Sequence, residues 1–150
     1  MKGATMLKTI YPVTKNILSH GQSVSLFLAR LGVAYGFYEP AMTKWTDINS
    51  VAEWFGSIGI PFPTLNAYMA ASTEILGVVL LTLGLFTRLI SIPLIIIMIV
   101  AITTVHLSNG FSAGNNGFEI PVYYMLFLAI FASMGAGKLS LDHLLFGDEQ

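Results

Sequence analysis

A helix-length apolar run with a carboxylate near its midpoint constrains this chain more than any other feature. Residues 67–85 read AYMAASTEILGVVLLTLGL, and Glu74 is the only charged group among them. At about 1.5 Å per residue, such a helix crosses a hydrocarbon layer roughly 30 Å thick. A carboxylate at that depth is costly unless it is paired or protonated. What Glu74 faces therefore bears on both fold and function.

The rest of the chain fits a lipid environment. Of its 150 residues 55% are hydrophobic and 10% charged, against about a quarter charged in a soluble domain. An integral membrane protein is predicted, with the lipid bilayer as its first partner. The net charge of −1 gives no reason to expect nucleic acid. Cysteine is absent, which excludes disulfides, thiolate metal sites, iron–sulfur clusters and a thiol nucleophile. Redox work would need a bound cofactor, a substrate or another subunit. No Ser/His/Asp arrangement, phosphate loop or basic–aromatic stripe is present, so hydrolase and nucleic-acid functions fall away. Met42, Met69, Met98, Met125 and Met134 are scattered over the four spans, as packing residues would be, not clustered as a copper ladder.

The predicted fold class is all-α: a four-transmembrane-helix bundle with a short interfacial helix between helices 1 and 2. Residues 1–21, with Lys2, Lys8 and Lys15 beside apolar residues at helical spacing, form a cytoplasmic or interfacial N-terminal segment. They lack the continuous apolar stretch of a cleaved signal peptide. The membrane domain covers residues 22–138, with spans at about 23–45, 64–85, 89–107 and 118–136. Residues 139–150 form a cytoplasmic tail. In the first span Gly32 and Gly36 make a small-residue face, and Pro40 is expected to kink or end the helix near Glu39. Between the first two spans, Ser50-Val51-Ala52-Glu53 has the form of a capping box, and Trp45 and Trp54 are suited to headgroup anchoring. Lys8, Lys15, Arg88 and Lys138 fall on one side of the bundle and only Lys44 on the other. The excess places both termini in the cytoplasm.

Counting rise per residue puts Arg30 roughly 12 Å, and Glu74 roughly 15–18 Å, above the cytoplasmic helix ends. If the Gly32/Gly36 face meets Ala67 and Ala71, a buried Arg30–Glu74 ion pair is expected to fix the register of two helices. A proton- or ligand-handling role for Glu74 stays open beside it. At the opposite surface Glu39, Lys44, His106, Asn109 and Glu119 fall together, near Tyr38, Trp45 and Phe111. Such a polar mouth suits a quinone head group, a small polar substrate or a metal, although no pair has diagnostic metal-ligand spacing. The alternative is that each group simply wets its helix end, Glu119 being favourable near the start of the fourth span. His20 and His143 read as exposed tail residues.

The order of short motifs resembles the DoxX family of small four-helix membrane proteins over residues 26–142. The resemblance rests on Arg30-Leu31, Lys44-Trp45, Glu53-Trp54-Phe55, Gly59-Ile60-Pro61-Phe62-Pro63 and Glu74 with Gly77. It continues through Gly84-Leu85-Phe86-Thr87-Arg88, Val105-His106, Asn109-Gly110-Phe111 and Gly137-Lys138-Leu139-Ser140-Leu141-Asp142. Pro40-Ala41 stands where many members carry a His-Gly pair, so chemistry assigned to that histidine does not carry over. The resemblance implies a bacterial cytoplasmic-membrane protein and, from relatives in redox systems such as a thiosulfate:quinone oxidoreductase, a redox-associated subunit with a quinone or small substrate at its periplasmic mouth. A non-catalytic scaffold for a redox or metal-handling partner, or a homo-oligomer, is the alternative. A small transporter using Glu74 is a third, and the chain lacks the internal repeat that transporters show.

Overall fold

The computed structural model describes residues 21–147, and among these all regular structure is helical. Six α-helices follow in order: α1 (Gln22–Thr46), α2 (Ile48–Ser57), α3 (Pro63–Leu83), α4 (Thr87–Ala101), α5 (Glu119–Met134) and α6 (Leu141–Phe146). Helix α4 continues through a π-helical turn (Ile102–His106) and a 3-10 turn (Leu107–Asn109) before the chain reverses. Two helices are long and apolar enough to cross a membrane by length and composition, Pro63–Leu83 and the continuous Thr87–Asn109. Helix α5 is as apolar but shorter, and α1 has the length but carries Arg30, Glu39 and Lys44. The N-terminal segment with Lys2, Lys8, Lys15 and His20 lies outside the described residues.

Helix α1 packs mainly against α3, α4 against α5, and α3 joins the two pairs. The shared core is built from Val33, Phe37, Leu81, Leu94, Leu128 and Phe131, with smaller residues between them. The end carrying α2 is called the outer end below, and the end carrying the α3–α4 turn the inner end. Helix α2 lays Ala52 and Phe55 against Ala67 at the outer end of α3.

The start of α2 differs from the capping box read in the sequence. Asp47 is the N-cap, accepting from the Ser50 amide at 3.1 Å and the Ser50 hydroxyl at 2.6 Å. Ser50 therefore lies inside the helix, which begins at Ile48. Aspartate caps as well as serine does, and its position sets the start. The hydroxyl bond first, and the amide bond after it, hold the Asp47 carboxyl below the usual carboxylate range.

Helix α1 runs through Pro40 to Thr46 without ending, over nearly the bounds read for the first span, so of the kink or stop expected at Pro40 the stop does not occur. Proline removes one backbone donor, a loss a packed helix tolerates. Continuation carries Lys44 one turn beyond Pro40, where it meets Glu74. The small-residue face is likewise not the α1–α3 contact. The buried stripe of α1 is Arg30, Val33, Ala34, Phe37 and Ala41, spaced at i, i+3, i+4, i+7 and i+11. Gly32 falls off that stripe and has nothing within 4 Å. Gly36 instead admits the Tyr124 ring of α5, which a Cβ at that position would overlap.

The inner end is closed by a polar clamp. Arg30 is fully buried and donates from Nη1 to the Leu81 carbonyl at 2.7 Å and from Nη2 to the Leu139 carbonyl at 2.6 Å. Its head lies against Gly84, whose φ of +66° ends α3 and where a Cβ would collide with Nη1. Asp142 accepts from the amides of Phe86 at 2.7 Å and Thr87 at 3.0 Å. Those donors are the orphan amides at the start of α4, whose N-cap Phe86 has no capping side chain. The clamp thus joins α1, the α3–α4 turn and the C-terminal segment. His143 is part of the same end: its amide is capped by Ser140 at 3.2 Å and its side chain is half-buried, not an exposed tail group.

Candidate functional site

The expected Arg30–Glu74 pair does not form. Arg30 lies level with Leu81, seven positions and so about 10 Å along α3 from Glu74. The two depths had been counted from helix ends that do not share a level. Glu74 pairs instead with Lys44, whose Nζ lies 3.0 Å from Oε1 and 2.9 Å from Oε2. Glu74 is 3% exposed and the Lys44 side chain 19%. A carboxylate this enclosed needs a partner cation with good geometry, and the bidentate contact supplies it.

The pair faces a cavity of about 640 Å³ in the outer half of the bundle. That volume falls within the range of about 300–1,000 Å³ typical of small-molecule sites. Phe37, Met98, Ile97 and Val105 contribute to walls that are mainly apolar. The polar residues lining the cavity are few: the Lys44–Glu74 pair, Tyr124, Thr73, Asn66, Thr104 and, toward the outer end, His106 and Asn116. Lys44 has three N–H donors, of which two point at Glu74, leaving one. Tyr124 is half-buried and its hydroxyl forms no hydrogen bond among the described residues. Apolar walls with a few placed donors describe a site for a molecule with an apolar body and a hydrogen-bond-accepting head.

Local structure explains how His106 arrives there. The π-helical turn inserts an extra residue into the end of α4 and re-aims the side chains that follow. His106 Nδ1 lies 2.8 Å from the Asn116 carbonyl. A carbonyl only accepts, so Nδ1 carries the proton and Nε2 is left as an acceptor in the neutral ring. Above the cavity, Trp54, Phe55 and Ile58 of α2 and Ala113, Asn116 and Gly117 of the connecting loop form a roof.

Of the five residues expected at the outer mouth, only Lys44 and His106 line this cavity. Asn109 donates to the Asn116 carbonyl at 3.1 Å and serves the loop. Glu119 accepts from the Ala113 amide at 2.9 Å and does the same. Glu39 is exposed and does not line the cavity. Tyr124 and Thr73 were missed in the sequence. Tyr124 sits three positions after the buried Pro121 and four before the buried Leu128, and that helical spacing was the available signal. Among the described residues no three His, Asp or Glu side chains gather as a metal site. A second cavity of about 530 Å³ lies at the inner end beside Leu26, Arg88 and Lys138. There Arg88 donates to the Ser133 carbonyl at 2.6 Å and Asp142 caps α4, so these two charged groups serve structure.

Comparison with known proteins adds to this geometry. An uncharacterized protein of Haemophilus influenzae is 35% identical over 133 residues, covering 83% of this chain and 85% of its own length. A second Haemophilus influenzae protein, also uncharacterized, is 34% identical over 126 residues, covering 80% of this chain and 91% of its own. A Bacillus subtilis protein named "Putative oxidoreductase CatD" is 32% identical over 124 residues, covering 82% and 88%. No solved structure matches. The DoxX family model matches residues 25–107, a segment that includes Lys44, Glu74 and His106. On these matches, the chain belongs to the DoxX family.

Proposed function

We propose that this chain is the membrane subunit of a quinone-linked redox system, and that its outer cavity receives the quinone head. In this reading α1, α3, α4 with its terminal turns, and α5 cross the bacterial cytoplasmic membrane. Both termini and the α3–α4 turn face the cytoplasm, in keeping with the positive charge at that end. The observation that carries the proposal is the Lys44–Glu74 pair at the wall of an apolar cavity, with one ammonium donor and the Tyr124 hydroxyl left over. Two donors in a mainly apolar chamber suit carbonyl oxygens, and such bonds are stronger where the local dielectric is low. The redox assignment is supported by the relative named as an oxidoreductase. With no cysteine in the chain, electrons would come from a redox partner. Extraction into lipid nanodiscs followed by mass spectrometry is expected to show a stoichiometric neutral quinone, depleted in Lys44→Met. Finding none in either protein would contradict the proposal.

A scaffold role has one observation in its favour. Gly32 is bare and flanked on the exposed side of α1 by Leu28 and Tyr35, a surface on which another helix backbone can approach closely. Partner capture that survives Lys44→Met but fails in Gly32→Leu would select this role.

A further inference from the structure

The outer cavity is partly covered at its end and bordered by exposed residues at its side. Toward the outer surface it is roofed by α2 and by the loop, which His106, Asn109 and Glu119 hold in place. Toward the inner end it is closed where α3 and α4 touch, with Leu94 packed so tightly on Gly77 that a Cβ there would lie 2.8 Å from Cδ1. Between these limits the cavity wall includes residues that also form the outside of the bundle. Met69 is 57% exposed, Ile96 56% and Val100 41%, yet all three line the cavity. Met69 and Thr73 are one turn apart on α3, and Ile96 and Val100 are one turn apart on α4, so the two pairs form facing ridges. Trp54 and Ile120 also line the cavity at 45% and 46% exposure, but Met69 and Ile96 are the most exposed of its large apolar residues and mark an edge of an opening.

From this geometry we infer that the cavity is entered sideways, between the Met69–Thr73 ridge of α3 and the Ile96–Val100 ridge of α4, by an uncharged amphiphile dissolved in the lipid phase. The inference rests on the proposal that the cavity takes a ligand, and it adds the route and the shape of that ligand. The opening is bordered by Met69, Ile96 and Val100, which lie on apolar stretches of helix suited to acyl chains. Its border carries no charge that would admit an ion, the nearest being the mutually neutralised Lys44–Glu74 pair inside. A ligand seated there places its accepting head against Lys44 and Tyr124 and leaves its tail in the gap between the ridges. An isoprenoid quinone has that construction, and a short-tailed analogue shares the head without needing the gap.

The absence of cysteine makes the test clean. Met69→Cys, at the exposed edge of the same ridge, introduces the sole thiol, which a bulky disulfide-forming reagent modifies and which subsequent reduction restores. Quinone association is followed in nanodiscs, in a Trp45→Phe background, by stopped-flow quenching of Trp54, which lines the cavity. Modification is expected to slow a long-tailed quinone by about a decade, leave the short-tailed analogue nearly unchanged, and reverse when the label is removed. Equal slowing of both quinones, or of neither, overturns the lateral entrance while leaving the ligand site standing. No saturable quenching by either quinone in the unmodified protein overturns the ligand site and the entrance with it.

Discussion

Lys44 and Glu74 form a bidentate ion pair between α1 and α3, with Nζ 3.0 Å and 2.9 Å from the two carboxylate oxygens. The contact depends on α1 continuing past Pro40, since Lys44 lies beyond the point where the proline would otherwise stop the helix. It leaves Glu74 without need of Arg30, whose guanidinium is committed to two carbonyls at the inner end.

Breaking this pair from one side differs from removing it. Glu74→Ala leaves a poorly solvated ammonium and is expected to destabilise the protein by about 3 kcal/mol, the low end of the range for a buried pair. The partial exposure of Lys44 is the reason for the low end. Lys44→Met with Glu74→Leu replaces both charges by apolar volume and is expected to fall within about 1 kcal/mol of wild type. Unfolding of the single and double variants in detergent, followed by circular dichroism, measures the difference.

Arg30→Lys is not conservative at the inner clamp. A lysine cannot reach two carbonyls with the planar fork that spans Leu81 and Leu139. Loss of one charge-assisted bond is expected to cost about 1.5–3 kcal/mol. Amide exchange should rise selectively across Leu141–Phe146, because the Leu139 carbonyl holds that segment to α1.

Gly84→Ala tests the same clamp from the backbone. The left-handed conformation alone costs an alanine about 1–2 kcal/mol, and the added Cβ also meets Arg30 Nη1. The total is therefore expected to exceed the conformational part, and the excess should vanish in an Arg30→Ala background. A double-mutant cycle on unfolding free energy reads that coupling.

Acid should loosen α2 before it loosens the bundle. The folded-state pKa of Asp47 lies below its unfolded value because Ser50 donates to it. Its contribution is therefore present above the ordinary carboxylate range and lost as pH falls through the lowered folded value. Hydrogen exchange at Ile48–Ser57 is expected to quicken on acidification. In Asp47→Ala it should be fast already at neutral pH and change little further.

The helices were legible because apolar runs long enough to cross a membrane leave few other conformations for their backbone. Direction around each helix was less so. Arg30 and Glu74 looked level only when their heights were counted from the cytoplasmic helix ends, and the inner ends of α1 and α3 do not share a level. Pro40 read as a kink or a stop because its local cost is plain in sequence, whereas the Lys44–Glu74 contact beyond it exists only between helices. Asn109 and Glu119 were placed at the correct end by chain order, but a π-helical turn and a loop without periodicity decide where they point. Tyr124 was passed over in the sequence, since the place for its ring is set by Gly36 on another helix.

The central claim is that Lys44 at the cavity wall holds the head of a quinone, and a fluorescence titration tests it most directly. In a Trp45→Phe background Trp54 is the remaining tryptophan, and it lines the cavity. Addition of a short-tailed quinone is expected to quench it saturably, with affinity weakened by about tenfold or more in Lys44→Met, the loss of roughly one charge-assisted hydrogen bond. Saturable quenching of equal affinity in both proteins, or none in the protein that retains Lys44, would contradict the account.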